Sequence, residues 1–250
     1  MRKIYVKTEN DRRFHAAPAS KATRGAAESA LLVVHGRAGD GKTRTLYHWA
    51  SATNAVMLTA HPGWTVRRMM VELADDLGVV TKGAWETALE ARIAAEEIAL
   101  VIDEAGFALA DNAACLERLR AITDKSGTPL VLVVMERDMA RLRQHDQITS
   151  RATLCQFAPA SRADVRAACT QLAEIEIADD LVERIHRDSG ARMRLVVEGI
   201  NIAERVGVGA GKRRVSAADL AEYALCEDFD SSLRAIGRRA AAKARGVSHG

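Results

Sequence analysis

Residues 30–43 read ALLVVHGRAGDGKT, a short apolar run followed at once by a glycine-rich loop. The apolar run, residues 30–35, is rich in aliphatic and β-branched side chains and predicts a buried strand. The loop, residues 36–43, has the pattern GxxxxGKS/T, and a helical pattern continues from it to about Ala52. Backbone N–H groups of such a loop and the positive end of the helix converge on one place, which favours an anion. The stretch therefore predicts a phosphate-binding loop.

Individual residues of this loop have expected roles in binding a nucleotide. The Lys42 ammonium would reach the β- and γ-phosphate oxygens, and the Thr43 hydroxyl would ligate Mg²⁺. ATP is expected rather than GTP, because no Asn/Thr-Lys-x-Asp element, which reads guanine, follows the fourth predicted strand. A purely structural glycine turn is the alternative. The predicted nucleotide-binding residues are Gly36, Arg37, Ala38, Gly39, Asp40, Gly41, Lys42, Thr43 and the following position, Arg44.

A second apolar run ends in two acidic residues. Residues 98–104 read IALVIDE, so a predicted buried strand over 98–102 is followed directly by Asp103 and Glu104. Asp103 would hold Mg²⁺ through water, and Glu104 would polarise the water that attacks the γ-phosphate. An Asp-Glu pair here predicts hydrolysis and not binding alone. The alternative is that both acids only form a turn.

The chain alternates short apolar runs with amphipathic helices up to about residue 147. The predicted strands cover residues 30–35, 55–59, 98–102 and 130–135, and predicted helices between them include 65–77 and 111–123. This alternation is typical of a parallel sheet with helical crossovers. After Phe157 the pattern becomes helical, roughly over 161–174, 177–188, 192–206 and 216–226, with no further apolar strand.

The predicted fold class is α/β, a P-loop domain with a parallel sheet followed by a small all-α lid domain. The predicted segments are a basic N-terminal arm at residues 1–27, the α/β ATPase domain at 28–158, the helical lid at 159–228 and a basic C-terminal tail at 229–250.

A formal net charge of +3 over 250 residues conceals an uneven distribution. Residues 1–27 and 231–250 each carry a net charge of +5, which leaves −7 for residues 28–230. Basic ends on an acidic body favour a partner with a phosphate backbone. The alternative is that the ends only keep the chain soluble.

Composition argues against membrane proteins and disulfide scaffolds. No apolar run approaches the roughly 18 residues of a membrane-spanning helix, and residues 1–13 lack the apolar stretch of a signal peptide. We therefore expect a cytoplasmic protein without a membrane partner. Buried thiols are expected for the cysteines, which have neither disulfide-framework nor zinc-ligand spacing. They are Cys115, Cys155, Cys169 and Cys226.

The glycine-rich loop, the Asp-Glu strand end, a fourth strand and then a helical lid resemble the AAA+ ATPases. Over roughly residues 28–206 the chain looks like the transposition-helper ATPases, the B-protein type of Mu-like phages and its IstB, TniB and TnsC-type relatives. This narrower resemblance rests on HPGWT at residues 61–65 and on RLRQHD at 141–146, which continues to Ser150 and Arg151. It implies a protein of a bacterial host cell or its phage.

The resemblance also implies roles for residues outside the two main motifs. Arg151 would be the arginine finger that reaches the γ-phosphate of a neighbouring subunit, and an ordinary surface arginine is the alternative. Arg194 would be the sensor-2 arginine, which reads the phosphates within one subunit, with Arg192 or a structural role as alternatives. Glu136 follows the fourth strand, where the family commonly has Asn or Thr at sensor 1. Glu136 either substitutes for that residue or the role is missing.

Members of this family bind double-stranded DNA without sequence preference as ATP-dependent helical oligomers and present it to a transposase. The implied partners are therefore double-stranded DNA, a transposase and further copies of the chain in a filament or ring. Arg67, Arg68 and Lys82 would face the DNA backbone, or would only form a solvated surface. Two other functions stay open: a helicase loader of DNA replication, and a nucleotide-gated adaptor without a direct role on DNA.

Overall fold

The computed structural model describes residues 1–22 and 31–226, which divide into two units. Thr8–Ala158 form an α/β unit. Met1–Lys7 and the described residues from Pro159 onward form a mainly helical unit. Residues 23–27 of the predicted basic arm and the whole predicted basic tail, 229–250, lie outside the described residues.

The α/β unit is built on a five-stranded sheet in which every strand pair is parallel. The strands are β1 (Leu31–Gly36), β2 (Ala55–Thr59), β3 (Ala99–Asp103), β4 (Leu130–Met135) and β5 (Thr153–Gln156), in the order β2-β3-β4-β1-β5. The four predicted strands are confirmed to within one residue. The apolar-run pattern misses β5, because it is a four-residue edge strand whose Leu154 is 55% exposed.

Helices cover both faces of this sheet. They are α1 (Glu9–Ala22), α2 (Lys42–Ala52), α3 (Val66–Asp76), α4 (Trp85–Ala95), α5 (Ala110–Ser126), α6 (Met139–Leu142) and α7 (Asp146–Thr149). On one face, alternate strand residues such as Leu32 and Val34 pack with Leu46 of α2 and Phe14 of α1. The other strand residues pack with α3, α4 and α5. A strand buried on both faces reads as a continuous apolar run, which is why these strands are recognisable in the sequence.

Residues 1–22 are folded and do not form the basic arm expected from their charge. Phe14 of α1 is 1% exposed, and its ring lies edge-on to that of Trp49 with the centroids 5.4 Å apart. Part of the basic charge is neutralised within the helix, because Glu9 pairs with Arg12 and Arg13. A single buried aromatic ring in an otherwise polar helix gives a weak periodic signal, so charge alone misidentifies this segment.

The helical unit contains a small sheet that the all-α prediction lacks. Its elements are α8 (Arg162–Leu172), β6 (Glu176–Ile177), α9 (Asp179–Asp188), α10 (Met193–Gly209) and β7 (Arg214–Val215), with β6 parallel to β7. The helix predicted over 216–226 is wrong, since this segment forms only a 3-10 turn at Ala218–Leu220. The Ser216 hydroxyl donates to the Asp219 carboxylate at 2.9 Å, so it does not cap a first helical turn.

The four cysteines are free thiols, of which Cys115, Cys155 and Cys169 are buried. Burial raises the pKa of Cys155 to about 11 and the pKa of Cys169 to about 12. Both thiols therefore stay protonated near neutral pH.

In the described part of the chain, no helix is both long enough and apolar enough to cross a bilayer.

Gly207 allows α10 to pack closely against the small sheet. A Cβ atom at this position would lie 2.5 Å from both Ile175 Cδ1 and Val215 Cγ2. We expect Gly207→Ala to lower the free energy of unfolding by about 1–3 kcal/mol, the usual cost of overpacking a core. Urea unfolding followed by circular dichroism measures this loss.

Gly209→Ala is the matched control on the same helix, because no described residue beyond the adjacent backbone of α10 lies within 4 Å of a Cβ atom placed there. This substitution should be neutral or should stabilise by up to about 1 kcal/mol, since alanine is the better helix former. Equal stability of the two variants would contradict the packing argument.

Candidate functional site

The carboxyl ends of β1, β3 and β4 meet at one edge of the five-stranded sheet. β1 pairs with β4 so that Gly36 lies beside Met135, and β3 pairs with the other side of β4. Ligands of open parallel sheets bind at this edge. The glycine-rich loop follows β1, Asp103 ends β3 and Glu136 follows β4. The fold thus brings the loop and the acidic pair, which are far apart in sequence, to one place.

Glycine is required in the loop for two different reasons. Gly39 and Gly41 have φ angles of 86° and 94°, in the left-handed region that other residues rarely adopt. At Gly36 there is no room for a side chain, because a Cβ atom there would lie 2.7 Å from the backbone oxygen of Phe157. Phe157 follows β5, and its N–H donates to the His35 carbonyl at 2.7 Å. This close approach of two backbones fixes where the loop begins.

The Lys42 ammonium lies at the centre of the site. Lys42 begins α2 and is 6% exposed, and its Nζ donates to the carbonyls of Gly36 at 2.9 Å and Arg37 at 2.8 Å. Burial lowers the pKa of Lys42, and four carboxylates oppose that change. They belong to Asp40, Asp103, Glu104 and Glu136. An ammonium group held at a helix N-terminus in this way can donate to phosphate oxygens.

The Asp-Glu pair occupies the end of β3 and the turn after it. Asp103 is buried, and its Oδ1 accepts a hydrogen bond from the Glu104 N–H at 2.9 Å. Glu104 has a φ of 50°, a left-handed conformation that costs a non-glycine residue about 1–2 kcal/mol. The next N–H, of Ala105, donates to the Val133 carbonyl of β4 at 2.9 Å. This strained turn therefore fixes Glu104 beside the strand end that carries Asp103.

Glu136, at the position where the sequence departs from the family pattern, has a specific partner. Nδ1 of His35 lies 2.9 Å from Oε2 of Glu136. His35 is buried in β1 immediately before the loop, and the two residues are 101 positions apart. No local pattern could have indicated this pair, so His35 is absent from the predicted site.

Asp40 is a buried acid inside the phosphate-binding loop. Its Oδ2 accepts a hydrogen bond from the Arg37 N–H at 3.0 Å. Its Oδ1 lies 3.6 Å from the Arg37 guanidinium and receives no hydrogen bond from the described residues. Burial raises the pKa of Asp40, although Arg37 and Lys42 oppose this change. The loop therefore contains an acidic group whose charged form burial disfavours, in the region where phosphate is expected.

Asn10 of α1 supports the loop from a segment that sequence reasoning assigned to a free arm. Its Nδ2 donates to the Ala158 carbonyl at 2.8 Å and to the Asp40 carbonyl at 3.5 Å. Its Oδ1 accepts from the Ala158 N–H at 3.0 Å. The buried Asn10 amide thus ties α1, the loop and the end of the α/β unit together.

The residues at this edge fit a Mg²⁺ ion that is shared with a nucleotide. Thr43 is exposed in the first turn of α2, and the buried Asp103 ends β3. Mg²⁺ prefers such oxygen ligands and usually keeps several waters and takes phosphate oxygens besides. Within residues 1–22 and 31–226, no three His, Cys, Asp or Glu side chains converge on a metal position. Thr43 and Asp103 would therefore hold such an ion together with oxygens of the substrate.

The three predicted DNA-contacting cations differ in their surroundings. Arg67 and Arg68 lie in the first turn of α3, and Lys82 lies in the segment before α4; all three are exposed. Arg68 Nε donates to Glu72 Oε1 at 3.0 Å. Arg67 and Lys82 form no ion pair with any residue that the structure describes. Their charges are therefore the more available to an anionic partner.

The HPGWT motif forms a hydrogen-bonded cluster with α3. Glu72 accepts from Trp64 Nε1 at 2.7 Å, from His61 Nε2 at 3.3 Å and from Arg68. Burial alone would raise the pKa of Glu72, but these hydrogen bonds outweigh it and lower the pKa. The motif thus fixes the start of α3, on which Arg67 lies.

The predicted arginine finger and sensor-2 arginine lie in different units. Arg151 precedes β5 in the α/β unit, where it is half exposed and 3.6 Å from Asp124 Oδ2. Arg194 is exposed in the first turn of α10, and Arg192 immediately precedes that helix. Their contacts with nucleotide stay predictions.

Comparison with known proteins agrees with this architecture. Residues 26–142 match a family model described as AAA domain. The chain is similar to the RuvB Holliday junction branch migration motor of Thermotoga maritima, with 18% identity and a TM-score of 0.60, covering 87% of this chain and 68% of that one. It is similar to Cdc6p of Pyrobaculum aerophilum, with 17% identity and a TM-score of 0.64, covering 93% and 72%.

A third similar structure is the ORC1 protein of Aeropyrum pernix in complex with DNA, with 17% identity and a TM-score of 0.57, covering 88% of this chain and 65% of that one. No curated protein matches the chain. At these identities the likeness to the solved structures establishes the fold, and residues 26–142 are similar to the AAA domain family.

Asp40→Asn should stabilise the protein at neutral pH and lose that advantage in acid. Because burial raises the pKa of Asp40 in the folded state, the stability that this group contributes is complete below its unfolded pKa and is lost as pH rises through its folded pKa. Asparagine stays neutral and keeps an oxygen that can accept from the Arg37 N–H. The difference in Tm between variant and wild type should therefore shrink between about pH 7 and about pH 4.

Asp76→Asn, at the exposed end of α3, is the matched control and should show no comparable dependence on pH. A less stable Asp40→Asn variant at neutral pH would contradict the expected cost of burying this charge.

Proposed function

We propose that this protein is an ATPase that binds double-stranded DNA without sequence preference in the presence of ATP. It assembles on the DNA as a homo-oligomer and activates or directs a DNA transposase. The observation that carries the nucleotide part is the buried Lys42 ammonium on the loop carbonyls, with the Asp103 and Glu104 carboxylates close to it. This arrangement supports phosphate binding and hydrolysis in one place.

In the proposed reaction the loop N–H groups and Lys42 bind the β- and γ-phosphates. Glu104 accepts a proton from the attacking water, and the strained turn fixes its backbone directly after β3. When bound through Thr43 and Asp103, Mg²⁺ supplies positive charge that offsets the charge of the phosphates. Arg151 from a neighbouring subunit and Arg194 are proposed as further phosphate contacts, so that hydrolysis is weak until subunits assemble.

The DNA part of the proposal is supported by charge and by the structural neighbours. Arg67 and Lys82 are exposed cations without an ion pair among the described residues, and a phosphate backbone is the partner that such charges favour. One similar structure, ORC1 of Aeropyrum pernix, is in complex with DNA, and RuvB of Thermotoga maritima is a Holliday junction motor. The motifs at residues 61–65 and 141–146 favour a transposase as the protein that this ATPase activates or directs.

Glu104→Gln should abolish hydrolysis while leaving ATP bound. The glutamine cannot accept the proton, so the turnover rate should fall by about 10²–10⁴-fold, and the dissociation constant of ATP should change little. Lys42→Ala should lose binding as well, because it removes the ammonium at the centre of the site. Phosphate release and equilibrium binding of a fluorescent ATP analogue measure the two effects.

Glu97→Gln, an exposed glutamate in the turn before β3, is the matched control and should behave as wild type. The assays are carried out with duplex DNA at protein concentrations that permit assembly. Wild-type protein that binds ATP but never hydrolyses it would favour the nucleotide-gated adaptor instead.

Arg67→Ala combined with Lys82→Ala should weaken duplex binding in the presence of ATP. Each lost phosphate contact should reduce the slope of log affinity against log salt by about 0.9, so the pair should reduce it by up to about 2. Fluorescence anisotropy with duplexes of unrelated sequence at several salt concentrations measures this slope.

The charge-matched control is Arg118→Ala combined with Lys125→Ala, since both of these cations are already paired with Glu90. This control should leave the slope unchanged. Tighter binding to single strands than to duplex would instead favour a helicase loader.

A further inference from the structure

Asp40 is a buried carboxyl group inside the phosphate-binding loop, and one of its two oxygens has no hydrogen-bond donor among the described residues. Its side chain is 0% exposed. Oδ2 accepts from the Arg37 N–H at 3.0 Å, whereas Oδ1 receives no such bond. An ionised carboxylate that has lost its water needs donors to both oxygens. The roles proposed for Lys42, Asp103 and Glu104 leave this acid unexplained.

Two cations face the Asp40 carboxyl group, and together they compensate its burial only in part. The Arg37 guanidinium lies 3.6 Å from Oδ1, but it is 45% exposed, so water screens the pair. The charge of Lys42 also favours ionised Asp40, but its Nζ donates to the carbonyls of Gly36 and Arg37. From α1, the neutral Asn10 amide donates to the Asp40 backbone carbonyl. Burial outweighs these groups and raises the pKa of Asp40.

A nucleotide in this loop would increase the cost of keeping Asp40 ionised. The phosphates bring further negative charge into the loop, and like charges disfavour the ionised form of a carboxyl group. They would also draw on the positive charge of Lys42, which in the free protein acts on Asp40. Binding therefore favours protonated Asp40. Because coupling between two binding events is reciprocal, the protonated form in turn binds phosphate more tightly.

We propose that nucleotide binding in this loop is coupled to the uptake of one proton by Asp40, so that the site binds adenine nucleotides more tightly in mildly acidic solution. This inference rests on the proposed binding of ATP. The proton comes from the buffer, adds to the carboxylate and returns to the buffer when the nucleotide leaves. Affinity is highest below the pKa of Asp40 in the free protein. It falls as pH rises to the higher pKa of the bound protein.

The test is isothermal titration calorimetry with ADP and Mg²⁺ between about pH 5.5 and about pH 8.5. At each pH the titration is repeated in two buffers of different ionisation enthalpy, which gives the number of protons taken up per nucleotide. Wild type should take up more protons than Asp40→Asn, by up to about one per nucleotide. The ratio of the wild-type Kd to that of Asp40→Asn should rise by about 10-fold over this range.

Asp40→Asn isolates the charge, because asparagine cannot ionise but keeps an oxygen that can accept from the Arg37 N–H. The titration of the phosphates and of other groups in the site is common to both proteins and cancels in the comparison. Asp40→Ala is the second variant and should lose the same proton uptake, although it also loses the acceptor. Asp76→Asn, at the exposed end of α3, is the matched control and should keep the wild-type pattern.

Two results would overturn the inference while the proposed function stands. Equal proton uptake in wild type and Asp40→Asn at every pH would assign the proton to another group, such as Lys42. Weaker ADP binding by Asp40→Asn than by wild type at the alkaline end would show that the Asp40 charge assists binding, for example by holding Arg37. Wild-type protein that binds no nucleotide at any pH would instead remove the proposed function itself.

Discussion

The site depends on the burial of one positive charge, the Lys42 ammonium. A buried cation is costly unless it is hydrogen-bonded and compensated by nearby negative charge. Here two backbone carbonyls accept hydrogen bonds from it, and the charges of four carboxylates favour its protonated form. Three of these carboxylates follow or end β3 and β4, which a parallel sheet delivers to the same edge as the loop. The strand order, the loop conformation and the nearby charges therefore act together to stabilise the buried ammonium.

The sequence predicted the central part of the fold because buried parallel strands are apolar on both faces. β1 to β4 and the loop residues 36–43 follow from such runs and from the demands of phosphate binding. The same reasoning does not predict β5 and α1. Leu154 faces solvent on the edge strand β5, and the Phe14 ring enters the core from a mostly polar helix. These elements are stabilised by contacts that only the folded chain creates.

The same limit applies to the site. Lys42, Asp103 and Glu104 are found from local spacing, because each lies in a strand-to-loop motif. His35 and Asn10 are not, since their partners lie 101 and 148 positions away. Charge totals are similarly incomplete, because the pairing of Arg68 with Glu72 neutralises a cation that a count treats as free. What a surface can bind depends more on which charged side chains are unpaired than on the net charge.

The order of the two units along the chain bears on how the protein folds as it is synthesised. The α/β unit is continuous from Thr8 to Ala158, so it can be completed while later residues are still being added. The helical unit cannot, because Val6 packs in a cluster whose other members begin at Ala160 and extend to Leu225. Val6 thus finds its partners only after the residues that follow the α/β unit have been made. Closing so long a loop adds an entropic cost that an already folded intervening unit reduces.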